Sequence, residues 1–262
     1  MTPTPASTDQ KIWAIAWPMM LSSMSVPMLG LVDTALLGHL EGARFLGAVA
    51  IGANFIGLMY WSFGFLRMGT TSLTAQQRGA DSSSNALTST NIDAILFRAL
   101  VIALALGALV ALAIPLVIDH ILTWMQASAE VAPLAAEYID IRRYSAPAVF
   151  MTFAVHGYLV GIQKPRGALV LVLVTNLTNI VLDVWFIVYL GWETAGAAWA
   201  TLIAEWLGLA IGLLMVMRYS GAMQPGRWRA WFSITAFAHM LSFNYHLLIR
   251  TILLLFVFNF FT

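Results

Sequence analysis

The chain has 262 residues, 60% of them hydrophobic and only 10% charged, with a mean hydropathy of +0.83 and a net charge of +1. No soluble core of this size needs so much apolar surface, so the solvent is a bilayer, and the near-neutral balance leaves no footprint for a nucleic acid. The absence of cysteine excludes disulfides and thiol redox chemistry, and five scattered histidines without a ligand-spaced partner give no metal site.

Helices that cross a bilayer need about 20 mostly apolar residues, whereas barrel strands need about 10 of alternating pattern. The long apolar runs here therefore predict an all-α integral membrane protein, a bundle of six transmembrane helices followed by the start of a seventh. The opening "MTPTPASTDQK" is short and polar and precedes a full-length span, so residues 1–13 read as a cytoplasmic tail. The first helix, 14–38, holds Pro18, Pro27 and Asp33. The second spans 46–66, and a polar link, 76–91, leads to the third at 94–118.

The fourth helix is expected at 144–163, extended at its start by "VAPLAAEYIDIRRYSAP", which has a proline near its N-terminal end, where proline is tolerated. The fifth, 167–190, and the sixth, 195–217, complete a lobe over 14–217. The tight links "EGAR", "KPRG" and "GWET" make successive helices antiparallel neighbours. Residues 218–245 read as a basic cytoplasmic linker with an interfacial helix around Trp228 and Trp231. The apolar run from 246 to 262 is too short for a comfortable crossing, so a seventh helix cut off at its end is expected.

Basic residues favour the cytoplasmic side. Lys11, Arg78, Arg98, Lys164, Arg166, Arg218, Arg227 and Arg229 fall on one side of the predicted topology, while Arg44, Arg142 and Arg143 on the other are mixed with acids. The N-terminus is thus expected inside. Arg67 and Arg250 read as arginines that snorkel to the interface, and His156 as a packing histidine between helices.

Helix five carries Asn176, Asn179 and Asp183 at i, i+3 and i+7, one polar stripe in an otherwise apolar segment. An acid in the hydrocarbon turns inward and pairs, titrates or binds an ion, or else serves as neutral packing glue. Asp33 and Asp183 lie at nearly equal distances from the outer ends of their helices, a depth difference of roughly 3 Å. Thr201 enters from helix six at similar depth, with Glu205 one turn deeper. The predicted arrangement is a carboxylate-lined chamber suited to a proton or a sodium ion.

"NIVLDVWFIVYLGWETAGAAWAT", "YIDIRRYSAP", "TSLTAQQRGA" and the aspartate-bearing first helix together resemble the multidrug and toxic compound extrusion (MATE) family, above all its DinF-type bacterial branch, over essentially the whole chain. The resemblance implies a multi-pass antiporter of the bacterial inner membrane, not an enzyme, that exports organic and often cationic compounds in exchange for H⁺ or Na⁺ with no other cofactor. It also implies twelve helices in two lobes, of which this chain holds the N-terminal one, so the second lobe is an expected partner beside the lipid bilayer and a small organic substrate. Carried over residue by residue, the coupling set is Asp33, Tyr138, Asn179, Asp183 and Thr201.

Alternating access would follow from neutralising the acids, with Pro18 or Pro27 as the bend in helix one. Met24, Met28, Trp61 and Met151 offer soft apolar surface for varied ligands. A membrane prenyltransferase is disfavoured because Ile187 stands four residues after Asp183, where a second metal-holding acid would be required. A lipid-linked saccharide flippase of the same superfamily would want cationic groups in its cavity, and a non-transporting remnant is the third alternative.

Overall fold

The computed structural model describes residues 8–38, 42–83, 89–220 and 231–261. Helices form wherever the apolar runs predict them, and no strand occurs among the described residues. The first rod, α1, runs Thr8–Gly38, starting inside the predicted tail and passing through both prolines without interruption. The second span is two helices, α2 (Ala43–Ser62) and α3 (Phe65–Ser83), where the hydropathy predicts one. They are broken at Phe63 and Gly64, and Phe63 stacks on Phe150 at 4.4 Å between ring centres, wedging the bend.

Helix α4 (Ser89–Trp124) is longer than its predicted core. At 36 residues it reaches about 54 Å, well past a hydrocarbon layer of about 30 Å. Most of the residues expected in the polar 76–91 link therefore belong to α3 and α4. The fourth span joins α5 (Ala132–Arg142) to α6 (Ala146–Gly161) through a single 3₁₀ turn, Arg143–Ser145. The predicted helical extension before residue 144 is α5.

Helix α7 (Pro165–Asp183) passes into a π-helical segment, Val184–Tyr189, before α8 (Glu193–Ser220). The last helix, α9 (Ile234–Phe261), starts twelve residues earlier than the predicted 246, because Ser233 caps it: its hydroxyl accepts the amide of Ala236 at 3.4 Å. The interfacial helix expected around Trp228 lies outside the described residues. Trp231 is buried instead, packed on Phe97 with its carbonyl accepting Arg98 Nε at 3.0 Å.

Four helical stretches among the described residues, Ala43–Ala80, Ile92–Trp124, Pro165–Tyr189 and Glu193–Tyr219, are each long and apolar enough to cross a membrane by length and composition. On α7 the lipid-ready face is plain, since Leu173, Leu177 and Val181 are exposed while Asn179 and Asp183 point inward.

The centre of the bundle is α6, which packs on α3, α4 and α8. Phe150, Ala154, Val155 and Leu159 are fully buried in it. Lipid supplies no hydrophobic drive between helices, so close backbone approach does the work, and small residues permit it. Gly157 and Gly161 form a GxxxG pair against α3: a side chain at Gly157 would meet the carbonyl of Arg67 at 2.5 Å, and one at Gly161 would meet Thr74 Cβ at 2.6 Å. At the neighbouring seam a Cβ on Gly107 of α4 would lie 2.5 Å from Pro147 Cα, a backbone atom that cannot swing away.

Gly107→Ala should therefore force α4 off α6 and cost about 1–3 kcal/mol by overpacking. Gly57→Ala, where nothing lies within 4 Å, should leave stability unchanged or slightly raised. Thermal unfolding of the two variants in detergent checks the contrast.

Candidate functional site

The polar stripe of α7 faces α1 on one flank and α8 on the other. Asn179 and Asp183 are both 1% exposed. Asn179 Nδ2 donates to Thr201 Oγ1 at 3.1 Å, and the Thr201 hydroxyl donates in turn to Ala197 O at 2.8 Å. Asn179 Oδ1 is buried and accepts no hydrogen bond among the described residues. A free amide oxygen beside a buried carboxyl is an acceptor-rich node of the kind that ligates a small cation or passes a proton. Asp183 also closes the α-helical part of α7: the next residues are π-helical, a geometry found mostly as short defects at functional positions.

Asn176, one turn deeper, donates to Ser25 Oγ of α1 at 2.6 Å. That bond sets the register between two helices which, as first and fifth crossings, run in the same direction. From Ser25 to Asp33 is eight residues and from Asn176 to Asp183 is seven, so the two acid-bearing backbone positions differ in height by about 1.5 Å. The side chains of Asp33 and Pro27 lie outside the described residues; both positions are helical in α1. Pro18 is buried, and the neighbouring Ser23 hydroxyl bonds back to Met19 O at 3.0 Å, a local contact that bends helices.

Glu205 departs from the expected chamber of free acids. It is held by Arg142, whose Nη1 and Nη2 reach Oε2 and Oε1 at 2.5 and 3.1 Å. The same Nη1 donates to Ser145 Oγ at 2.8 Å, and Tyr60 OH donates to the Arg142 carbonyl at 2.9 Å. The charge pattern of the sequence places Arg142 in a mixed-charge outer segment, but the residue is 6% exposed and turned into the bundle. Its neighbour Arg143 looks outward, to Asp140 at 2.7 Å and to Ala111 O, because adjacent helical residues point about 100° apart. Tyr138, buried one turn before Arg142 and packed over Gly52, belongs to this charged cluster.

The polar interior is thus divided. Asn179, Asp183 and Thr201 make one node. Asn176 and Glu205 line a separate cavity of about 180 Å³ with Thr152 and Thr175, and Arg142 neutralises its acid. Of the four side chains expected to offer soft contact surface, Met24 and Trp61 are exposed, Met151 is packed into both halves of the core, and the Met28 side chain lies outside the described residues. Sequence reasoning misses Arg142 and Tyr60. A signal is available in the i, i+4 spacings Tyr138 to Arg142 and Thr201 to Glu205, which align each polar pair along one helix face.

An apolar helical bundle with amides and acids turned inward defines an integral membrane protein with a polar interior. The chain belongs to the MatE family, whose model matches residues 18–185. It is 41% identical over 254 residues to DNA damage-inducible protein F of Escherichia coli, covering 95% of this chain and 53% of that protein. It is 28% identical to a probable multidrug resistance protein NorM of Acinetobacter baylyi, covering 76% of this chain and 44% of that one. A MOP superfamily transporter from Pyrococcus furiosus shares the fold with a TM-score of 0.80 at 23% identity, over 93% of this chain and 52% of that chain. The chain spans about half the length of the proteins it matches, as one lobe of a two-lobed transporter does.

The buried pair yields a stability prediction. Arg142→Met should cost about 3–5 kcal/mol by leaving Glu205 buried without its partner, and the double variant Arg142→Met/Glu205→Leu should recover most of that loss. Denaturant or thermal unfolding in detergent, run as a double-mutant cycle, reads the coupling.

Proposed function

We propose that this lobe carries the coupling-ion site of a secondary active antiporter of the bacterial inner membrane, which exports small organic compounds in exchange for H⁺ or Na⁺. The observation that carries the reading is the buried node on α7 and α8: Asp183 beside the open Asn179 oxygen, with Asn179 tied to Thr201. The register fixed by Ser25 and Asn176 supports Asp33 as the second acid at that height. Family membership and the bacterial relatives described as multidrug resistance proteins support export as the direction and organic compounds as cargo.

In this mechanism ion binding changes the charge of the interior where α1 meets α7. A charged acid holds α1 against the amide face, and a neutralised one releases it, with Pro18 or Pro27 taking up the bend because neither can complete the helical hydrogen-bond ladder. Tyr138 contributes through the Arg142 and Glu205 cluster, which fixes the angle between α5 and α8. Glu205 itself is spent on that lock and does not carry the ion. The N-terminus is cytoplasmic in this reading, and the second lobe supplies the other wall of the cleft.

The test is transport by the whole gene product in proteoliposomes under an imposed pH or sodium gradient. Efflux of a fluorescent organic cation should be lost in Asp33→Asn and in Asp183→Asn and reduced in Asn179→Ala. Unaltered gradient-driven efflux in both aspartate variants would reject the assignment.

A further inference from the structure

A second cavity, apart from the acidic one, has the opposite chemistry. About 370 Å³ in volume, it lies between α1, α3 and α6 and is lined by Arg67, His156 and the hydroxyl residues Ser22, Ser23, Thr71 and Ser72, with Met19, Met68 and Val160 as its apolar wall. Among the described residues no aspartate or glutamate lines it. The Arg67 guanidinium has no acidic partner among the described residues, whose ion pairs are those of Arg142 and Arg143. Arg67 is exposed, so its charge is open to a ligand that enters this groove. Here the Arg67 backbone is pinned against Gly157, one turn inside the end of α6, and its side chain shares the cavity with His156 of that helix.

We infer that this cavity binds the anionic group, carboxylate or phosphate, of an amphiphilic molecule. Arg67 supplies the charge and a planar fork of donors, His156 a ring N–H, and Ser22 and Ser72 hydroxyl donors from facing helices. The methionines and Val160 accept hydrocarbon next to that headgroup. The cavity is chemically the reverse of the α7 node. It assigns to the proposed exporter a class of cargo, or a lipid, that bears negative charge. The inference rests on the transport reading only for its use in transport, since binding can be measured without a gradient.

The experiment is titration of octyl phosphate, octanoate and octyltrimethylammonium into the full-length protein in phosphatidylcholine nanodiscs, read by calorimetry. The two anions should bind and the cation should not compete with them. Arg67→Gln should weaken octyl phosphate binding roughly tenfold or more, with Arg67→Lys retaining an intermediate affinity. Ser72→Asp, which keeps the arginine but adds an acid to the wall, should abolish binding, so that a folding defect in Arg67→Gln alone cannot decide the result. Nanodiscs containing phosphatidylglycerol separate the sources. Competition lost in Arg67→Gln identifies a lipid headgroup, and undiminished octyl phosphate affinity identifies a free amphiphile.

Equal affinity for the cationic and anionic probes, or octyl phosphate binding unmoved by both Arg67→Gln and Ser72→Asp, would overturn the inference. Loss of efflux in the aspartate variants with anion binding intact would leave both conclusions standing. Anion binding with unaltered efflux in those variants would sink the coupling site alone.

Discussion

A polar group inside the hydrocarbon has no water to fall back on, so its partner must be found within the protein, on its own helix or on another. That constraint organises the bundle. Asn176 reaches Ser25, Asn179 reaches Thr201, and Glu205 reaches Arg142, three ties that fasten α7 to α1, α7 to α8 and α8 to α5. Apolar packing alone gives little reason for these helices to choose one register over another, because lipid tails are as apolar as leucine. The polar ties and the glycine seams of α6 choose it.

Those same ties sort the interior by charge. On the α7 side a buried acid and an open amide oxygen favour a cation or proton, while between α1, α3 and α6 an arginine and a histidine favour an anion. The Arg142 and Glu205 pair belongs to neither, since it cancels its own charge and ties α5 to α8. In the proposed exchange mechanism a positive coupling ion and a negatively charged headgroup would not compete for the same residues. Helix α1 borders both regions, through Ser25 at the first and Ser22 at the second.

Much of the candidate site is legible in the order of residues alone. The three-residue polar stripe of α7 is visible from its spacing, and the inward turn of Asn179 and Asp183 follows from the cost of facing lipid. Counting residues from a helix end places Thr201 at the right depth, and its bond to Asn179 agrees with that count. Glu205 escapes the same logic because its partner lies 63 residues earlier, in a stretch that reads locally as a charged outer loop. Arg142 and Arg143 are neighbours in sequence with opposite fates, which no windowed pattern separates. The anion cavity is hidden for a similar reason. Arg67 near a helix end has the local signature of a snorkelling residue, and only the packing of α6 and α1 brings it together with His156 and Ser22.

By itself the sequence determined the solvent, the helical class, the approximate spans and the family, because hydropathy over about 20 residues and short motifs are local properties. The tertiary structure decided the break at Gly64, the π-helical step after Asp183, the early start of α9 and the pairing of Arg142 with Glu205. The break and the charge pairing depend on which distant side chain comes into contact, a quantity set by how whole helices pack and not by any single stretch of chain.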